Sequence, residues 1–372
     1  MALGMEERTI KSIDRNVLRR IVRMAGRFAR PARPQMRLEE CHRVLLIRPG
    51  GIGDAALMLP LLRRLRIAGA TVDVFCMARN RGIFELFRSH GYVQEIYLME
   101  RLADVFSARA QRYDCVFDSE QWFYGSGVLA SLMHRGAIIG FDTNERRNLY
   151  DSFVHYSQED YEAQSFLNLL EPLGVRAELS LADLRLEPTA GPASIPQGRL
   201  IALALGASVP SRLVPEATGR DLVRRISSAF DQVVLIGSPV DRQWSGHLKD
   251  AAANVVDACG TTTLAQTVGL LQKCDGFAGT DSGPLHLAVL AGVRHIVGIF
   301  GPGIHQKWGH PGLIRVVRRN DLPCSPCAYG RFSQVPPCPY GYTCIGGLPA
   351  ERIAAAVLGK MGAEGVEGKR KP

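Results

Sequence analysis

The sequence predicts an α/β fold with two doubly wound lobes. From residue 43 onward, short apolar segments alternate with amphipathic stretches, a Pro-, Gly- and Ala-rich stretch interrupts this series at 177–198, and a second series follows. The predicted strands are Val44–Ile47, Val72–Cys76, Cys115–Phe117 and Ala137–Ile139, then Leu200–Leu205, Val233–Ile236, Asn254–Asp257, Gly276–Gly279 and His295–Phe300. We expect ligands to bind in a central cleft, where the carboxyl ends of the two sheets face each other.

The length of 372 residues is enough for two domains that each bury their own core. We expect a basic, amphipathic N-terminal extension over residues 1–40 and a first lobe over 41–185. A second lobe over 195–358 includes a Cys-rich segment at 324–344, and a basic tail follows at 359–372.

The net charge of +9 is concentrated at the two ends of the chain. Residues 1–40 carry +5 and residues 360–372 carry +2, which leaves +2 for everything between. Nucleic-acid binding needs a basic stripe on the folded surface, so this distribution indicates no nucleic-acid partner. The sequence contains no stretch of 18 uncharged apolar residues, which argues against a membrane-spanning helix.

The N-terminal extension has the pattern of a basic amphipathic helix. Apolar residues recur at spacings of three and four, and most arginines fall on the other side. The apolar positions are Ile10, Ile13, Val17, Ile21, Met24 and Phe28. Such a helix suits an anionic membrane surface, and we expect contact through residues 10–30. The alternatives are a helix docked on the body and a solvated leader.

The first chemically informative segment is RPGGIGDAALMLP, residues 48–60, which follows a predicted strand and opens a helix. Gly51 and Gly53 allow a tight turn and bring backbone amides close to a ligand. Asp54 is placed to act as a general base in the cleft, and its alternative role is a helix cap. The spacing also matches a dinucleotide fingerprint, but the next strand lacks an acidic residue at its end.

The second informative segment is GTDSGPLHLA, residues 279–288, again between a strand and a helix. Asp281, Ser282 and Gly283 would present a carboxylate, a hydroxyl and free amides to sugar hydroxyls and phosphate oxygens, with His286 one turn further on. The alternatives are helix capping with a buried structural His, and a serine-hydrolase loop, which a strand-to-helix turn of this kind disfavours.

Together these two segments resemble the ADP-heptose:lipopolysaccharide heptosyltransferase family, glycosyltransferase family 9. The resemblance rests on VLLIRPGGIGDAALMLPLLRRL (44–65) and CGTTTLAQTVGLLQKCDGFAGTDSGPLHLAVLAGVRHIVGIFGP (259–302), with a weaker stretch at 113–142. It implies a GT-B fold, with two Rossmann-like lobes facing a central cleft. It also implies metal-independent, inverting transfer of heptose from ADP-heptose, with no cofactor for catalysis.

The resemblance also implies roles for individual residues. The family's base falls on Asp54, in an acceptor-side loop with Gly51 and Gly53. The donor-binding positions fall on Gly206, Ala207, Ser208, Arg212, Asp241, Thr263, Asp281, Ser282, Gly283 and His286. Arg212-Leu213-Val214-Pro215 stands where the family usually has Lys-Arg-Trp-Pro, so Arg replaces the Lys that contacts the pyrophosphate and the aromatic residue is lost. Asp241 stands for a longer acid expected near the adenosine ribose, and helix capping is its alternative role.

Four cysteines cluster near the C-terminus as Cys324-x2-Cys327-x10-Cys338-x5-Cys344. Four thiols in so short a segment can close a tetrahedral structural site for zinc or iron, and free thiols or disulfides are the alternatives. The remaining cysteines, Cys41, Cys76, Cys115, Cys259 and Cys274, fit core positions. Nine cysteines without a leader peptide indicate a reducing compartment.

The sequence therefore predicts a cytoplasmic glycosyltransferase. It would move heptose or a related sugar from an ADP-sugar to a lipopolysaccharide-core-type acceptor, and it would be peripheral to the inner face of the inner membrane if the N-terminal helix binds lipid. Two alternatives stay open: a transferase of the same fold with another nucleotide-sugar donor, and a non-catalytic nucleotide-sugar or dinucleotide-binding protein.

Overall fold

The computed structural model describes residues 12, 14–25, 36–194, 197–207, 209–328 and 338–359. None of the helices in these ranges is long and apolar enough to cross a bilayer. The described chain is organised around two six-stranded sheets in which every pairing is parallel. This confirms the predicted α/β fold with two doubly wound lobes.

The N-terminal lobe begins with a π-helical turn, Asp14–Leu18, that runs directly into the first α-helix. Its strands are β1 (Arg43–Arg48), β2 (Thr71–Cys76), β3 (Ile96–Leu98), β4 (Arg112–Asp118), β5 (His134–Phe141) and β6 (Ser152–Val154). Its helices are α1 (Arg19–Ala25), α2 (Ile52–Ala56), α3 (Leu59–Ile67), α4 (Arg81–Ser89), α5 (Leu102–Arg109), α6 (Tyr124–Leu132) and α7 (Glu162–Asn168).

The C-terminal lobe repeats this alternation. Its strands are β7 (Leu200–Ala204), β8 (Gln232–Leu235), β9 (Val255–Asp257), β10 (Gly276–Thr280), β11 (His295–Ile299) and β12 (Ile314–Val317). Its helices are α8 (Glu216–Ile226), α9 (Arg242–Lys249), α10 (Leu264–Leu271), α11 (Gly283–Ala291), α12 (His305–Trp308), α13 (Thr343–Gly346) and α14 (Ala350–Val357). Three short strands escaped the sequence prediction, namely β3, β6 and β12, because segments of three or four residues carry little periodicity.

The strands are buried because helices cover both faces of each sheet. In β1, Val44 and Leu46 belong to the core cluster on one face of the N-terminal sheet, whereas Leu45 and Ile47 belong to the cluster on the other. Every residue of β7 and β10 is buried. An apolar segment with no polar alternation is the expected sequence of such a strand.

The strand order explains where the predicted site segments lie. The sheets have the orders β3-β2-β1-β4-β5-β6 and β12-β11-β10-β7-β8-β9. In the first sheet the direction of winding reverses between β1 and β4, and in the second it reverses between β7 and β10. Crevices form at the carboxyl ends of such switch points. The segment after β1 and those after β7 and β10 therefore face the space between the lobes.

Candidate active site

The turn after β1 places Asp54 at the edge of the cleft on the first turn of α2. Its Oδ2 accepts a hydrogen bond from the backbone N–H of Gly51 at 2.8 Å and lies 3.3 Å from Nη2 of Arg48. The side chain keeps 22% of its surface exposed, whereas that of Arg48 is buried. Asp54 therefore caps its own helix and also presents a carboxylate to the cleft, so the two roles considered from sequence coexist.

Arg48 connects Asp54 to a buried polar network. Its Nη1 donates to the backbone oxygen of Ser119 at 2.6 Å and to Oε1 of Gln121 at 3.1 Å. The Gln121 side-chain amide in turn donates to Glu162. Burial disfavours the charged guanidinium, but Asp54, Glu120 and Glu162 together raise the pKa of Arg48 above its ordinary value. Arg48 is therefore a cation fixed beside the candidate base.

The network ends on a lysine of the C-terminal lobe. Lys307 of α12 lies with its Nζ 2.8 Å from Oε2 of Glu162 and donates to Oγ of Ser165 at 2.7 Å. The same ammonium lies 4.2 Å from the centre of the Tyr156 ring, and the Tyr156 hydroxyl donates to Glu162 at 2.9 Å. Burial raises the pKa of Glu162, and Lys307 and Arg48 oppose that rise. Polar contacts thus run without interruption from Asp54 to the opposite lobe.

The donor side of the cleft is formed by the loops after β7 and β10. Arg212 donates from Nη1 to the backbone oxygen of Asp281 at 2.7 Å, and its Nη2 lies 3.7 Å from Oδ2 of Asp281. Ser282 is the N-cap residue of α11, but no side chain caps the first turn of that helix. A guanidinium and the positive end of a helix dipole therefore meet at one point, which is the arrangement that binds phosphate oxygens.

The two lobes touch at Gly53 and His286. Helix α2 packs directly on α11, and a Cβ atom at Gly53 would lie 2.5 Å from Cδ2 of His286. The imidazole stacks edge-on against Trp308 at 5.7 Å between ring centres. Burial lowers the pKa of His286, the carboxylates of Asp281 and Asp54 oppose that shift, and Arg212 adds to it. Glycine at position 53 is thus required for the helix with the candidate base to approach the donor helix.

Four buried side-chain atoms around the cleft make no hydrogen bond within the described chain: Nε of Arg48, Nε of Arg212, Oδ2 of Asp281 and Nδ1 of His286. Buried polar atoms normally form hydrogen bonds, and all four of these belong to residues that line the cleft, so they are candidates for contact with a bound ligand. The cleft has a volume of about 1960 Å³. Pockets for one drug-sized ligand measure about 300–1000 Å³, so there is room here for a donor and an acceptor.

The other predicted donor residues differ in their position relative to the cleft. Gly206, Ala207 and Asp241 line the cleft, and Asp241 accepts hydrogen bonds from the N–H and the hydroxyl of Ser238, both at 2.7 Å. Thr263 stays a predicted donor residue, and its hydroxyl caps α10 by accepting from Gln266 N–H at 3.2 Å. Its neighbours Thr262 and Thr267 line the cleft. Ser208 lies outside the described residues.

The four clustered cysteines range from exposed Cys324 to buried Cys344. Burial, together with the neighbouring thiols, raises the pKa of Cys327 and of Cys344. Cys338 Sγ accepts a hydrogen bond from Tyr342 N–H at 3.4 Å, as metal-binding thiolates commonly do. Within the described ranges, however, no three His, Cys, Asp or Glu side chains form a group that could hold a metal ion. The five other cysteines are buried, as predicted.

The described part of the N-terminal extension, residue 12 and residues 14–25, docks on the first lobe. Val22 is buried in the core, Arg19 and Arg23 pair with Glu145 at 3.0 and 2.7 Å, and Asp14 accepts from Gly125 N–H at 2.8 Å. The described members of the predicted apolar stripe, Val17, Ile21 and Met24, all face solvent. The helix is therefore docked on the first lobe while its apolar stripe stays exposed. The rest of the predicted helix lies outside the described residues.

Two doubly wound lobes around a cleft, with a carboxylate on one wall and an arginine at a helix N-terminus on the other, have the architecture of the two-lobed GT-B glycosyltransferases. The family model described as glycosyltransferase family 9 (heptosyltransferase) matches residues 105–331. The chain belongs to this family, and it is a glycosyltransferase. The matched range includes the second signature segment and begins after the first.

Solved structures share the fold. E. coli ADP-heptose lps heptosyltransferase II is 20% identical, with 86% of this chain and 99% of that chain covered and a TM-score of 0.63. E. coli heptosyltransferase WaaC with ADP-2-deoxy-2-fluoro heptose is 18% identical, with coverage of 86% and 100% and a TM-score of 0.66. The iron-containing dodecameric glycosyltransferase TibC from enterotoxigenic E. coli is 16% identical, with coverage of 89% and 82% and a TM-score of 0.58. A comparison with curated proteins gave no match.

Sequence reasoning missed the residues that support the site. Arg48 is the first residue of the segment RPGGIGDAALMLP, and a charged residue at the end of an otherwise apolar strand was a usable signal. Gln121, Glu162 and Lys307 gave none, because they lie far apart in the chain and meet only in the folded molecule.

Proposed function

We propose that this protein transfers heptose, or a closely related sugar, from an ADP-sugar to a lipopolysaccharide-core-type glycan, with inversion and with Asp54 as the general base. The observation that carries the proposal is the contact between α2 and α11. It brings the helix that bears Asp54 against the helix whose N-terminus and Arg212 form an anion site. The relatives with ADP-heptose or ADP-heptose analogues in their names support the choice of donor.

The proposed reaction is a single displacement. Asp54 takes the proton from an acceptor hydroxyl, whose oxygen forms a bond to the anomeric carbon while the bond from that carbon to the diphosphate breaks. The charge that develops on the leaving ADP is stabilised by Arg212 and by the amides at the start of α11. These groups supply the positive charge that a metal-independent transfer requires.

The donor sugar and nucleotide would lie along the loops of the C-terminal sheet. Asp281 and His286 line the cleft, and Asp281 Oδ2 and His286 Nδ1 make no hydrogen bond within the described chain, so both suit contact with sugar or phosphate groups. Asp241, beside Gly206 and Gly237, would approach the ribose. The acceptor would enter from the N-terminal lobe, where Asn144 and Arg147 line the cleft.

We also propose that Cys324, Cys327, Cys338 and Cys344 bind a structural zinc or iron ion. The support is the set of four soft thiol ligands at close spacing in the sequence and the hydrogen bond to Cys338. TibC, a structural relative, is described as iron-containing. The ion would stabilise the segment after β12 and would take no part in sugar transfer.

The decisive experiment compares nucleotides on the purified full-length protein and then assays transfer. We expect ADP to raise the melting temperature more than UDP, GDP or NAD, since binding at 100 times the dissociation constant adds about 2.7 kcal/mol of stability. ADP-heptose with a lipopolysaccharide-core acceptor should then release ADP. Preference for UDP or GDP would favour the alternative donor, and ligand binding without transfer to any acceptor would favour a non-catalytic binding protein.

A further inference from the structure

Three helical segments cover one face of the N-terminal sheet: residues 14–25, helix α5 and helix α6. Their inward side chains, including Val22, Ala108 and Ala130, belong to one core cluster with Leu45 and Ile47 of β1. The outward sides of the three segments form a single outer layer, which we call the N-terminal helical face and which comprises residues 14–25, 101–112 and 124–135.

The N-terminal helical face exposes large apolar side chains at helical spacing. On α5, Leu102 is 76% and Phe106 is 69% exposed, and Leu132 at the end of α6 is 44% exposed. Arg109, one turn beyond Phe106, donates from Nη1 to the Leu132 backbone oxygen at 3.1 Å, so these residues adjoin. Single exposed apolar residues are ordinary, but a group of them on neighbouring helices marks an interaction site.

The N-terminal helix adds a second apolar row to the same face. Val17 is 51%, Ile21 is 47% and Met24 is 64% exposed, at spacings of four and three residues. Arg20 lies between them and is also exposed. This helix is held in place by the bonds of Asp14 to α6 and by the pairing of Arg19 and Arg23 with Glu145.

The charge of the face is net positive. Residues 14–25, 101–112 and 124–135 contain eight arginines and two acidic residues, and Glu145, outside these ranges, pairs with Arg19 and Arg23. Both acids are engaged within the fold: Asp14 accepts from the N–H groups of Tyr124 and Gly125, and Asp104 accepts from the N–H of Leu98. Exposed apolar groups among arginines, with both carboxylates of the face already bonded, complement an anionic lipid surface.

We infer that the N-terminal helical face docks on an anionic lipid bilayer. Apolar side chains from α5, α6 and the N-terminal helix would enter the boundary between headgroups and acyl chains, while the arginines contact lipid phosphates. Asn16 and Arg19, at one border of this face, also line the cleft. An acceptor anchored in the bilayer would therefore reach the cleft from its N-terminal side, and in this respect the inference rests on the proposed function.

Flotation of the full-length protein with vesicles tests the inference. We expect binding to phosphatidylcholine vesicles that contain phosphatidylglycerol, and little binding to pure phosphatidylcholine. Leu102→Glu/Phe106→Glu should weaken binding to the anionic vesicles about tenfold or more, because it both removes apolar contact and adds negative charge.

The matched controls place the same apolar-to-glutamate substitutions on other surfaces of the protein. Ile67 lies at the end of α3, a helix that packs on the opposite face of the N-terminal sheet, and is 77% exposed, and Val240 of the second lobe is 75% exposed. Ile67→Glu/Val240→Glu should bind anionic vesicles as the parent does. Equal loss in both double variants, or no vesicle binding by the parent, would overturn the inference.

Two further measurements separate the remaining outcomes. If sedimentation shows that the parent self-associates and Leu102→Glu/Phe106→Glu does not, the face is an interface between copies and the lipid assignment is wrong. Transfer to a lipid-free acceptor should be unchanged in Leu102→Glu/Phe106→Glu. Loss of vesicle binding by Leu102→Glu/Phe106→Glu with intact transfer shows that the variant is folded and supports the inference. Absence of transfer in the parent overturns the proposed function and leaves the lipid result standing.

Discussion

The ammonium nitrogen of Lys307 lies 2.8 Å from Oε2 of Glu162, and this fully buried ion pair joins the two lobes. Lys307 follows the fifth strand of the C-terminal sheet, and Glu162 opens the helix after the last strand of the N-terminal sheet. Further hydrogen bonds connect Glu162 through Gln121 to Arg48, which contacts Asp54. The arrangement of the lobes and the position of the candidate base therefore share one set of contacts.

Removal of one member of the Lys307–Glu162 ion pair should destabilise the folded protein. Lys307→Met leaves a buried carboxylate without its counter-ion, so we expect the free energy of unfolding to fall by about 3–5 kcal/mol. The double variant Lys307→Met/Glu162→Gln should be less destabilised than Lys307→Met, because no uncompensated charge remains. Denaturant unfolding of both variants measures the difference. A loss below about 1 kcal/mol in Lys307→Met would show that the pair contributes no more than a surface ion pair.

Asp54→Asn should separate catalysis from folding. Asn keeps the size and can still accept the hydrogen bond from Gly51 N–H, but it cannot take a proton from the acceptor. We expect an almost unchanged melting temperature and ADP affinity, with transfer reduced about 10²-fold or more.

Asp241→Asn is the control for Asp54→Asn, since Asp241 also accepts from the N–H three residues before it. It should raise KM for the donor more than it lowers kcat. If Asp54→Asn remained folded and kept transfer within a few-fold of the parent, Asp54 would be only a helix cap.

Gly53→Ala should disturb the contact between the lobes. Alanine favours helix more than glycine does, so the change alone would stabilise α2, but its Cβ would lie 2.5 Å from the His286 ring. We expect lower stability and weaker donor binding. Gly51→Ala is the matched control, because its Cβ would meet Asp54 Oδ2 at an ordinary 3.4 Å. In the His286→Ala background, where no ring opposes the new Cβ, Gly53→Ala should lower donor affinity little further, and an equal loss in both backgrounds would mean that the clash is not the cause.

The stability of the protein should fall as the pH drops below about 6.5, in part because of His286. Burial lowers the pKa of His286 below 6.5 in the folded state. The unfolded chain therefore takes up this proton at a higher pH than the folded protein does, and acidification stabilises the unfolded state relative to the folded one. His286→Asn removes this group, and its melting temperature should decline less than that of the parent between about pH 7.5 and 5.5. Parallel declines would assign the pH dependence to other groups, such as His305, whose pKa burial lowers to about 4.

Metal analysis tests the cysteine proposal. We expect purified protein to contain zinc or iron, and Cys327→Ser/Cys344→Ser to lose that metal and melt at lower temperature. Cys274→Ser alters a buried cysteine elsewhere in the fold and should keep the metal. Equal metal content in Cys327→Ser/Cys344→Ser and the parent would place the ion elsewhere, and a metal-free parent would leave the four thiols without a ligand role.

The sequence by itself determined the α/β class and the two segments that face the cleft. Both depend on local physics: apolar strands buried on two sides contain continuous apolar residues, and glycines after a strand permit the turn that exposes amides to a ligand. Asp54 and Asp281 could therefore be named before any contact was known, whereas Arg212 was named through the resemblance to the family.

Only the tertiary structure decided which residues support Asp54, Asp281 and Arg212. Thr263 shows one limit of prediction from sequence, since the same local pattern allows a hydroxyl either to cap its helix or to face a ligand. Lys307 and Glu162 show a second limit, because charge pairing between distant segments leaves no period or spacing in the sequence. The direction in which Val17 and Ile21 face was likewise set by Val22, whose burial against the first lobe turned the apolar stripe outward.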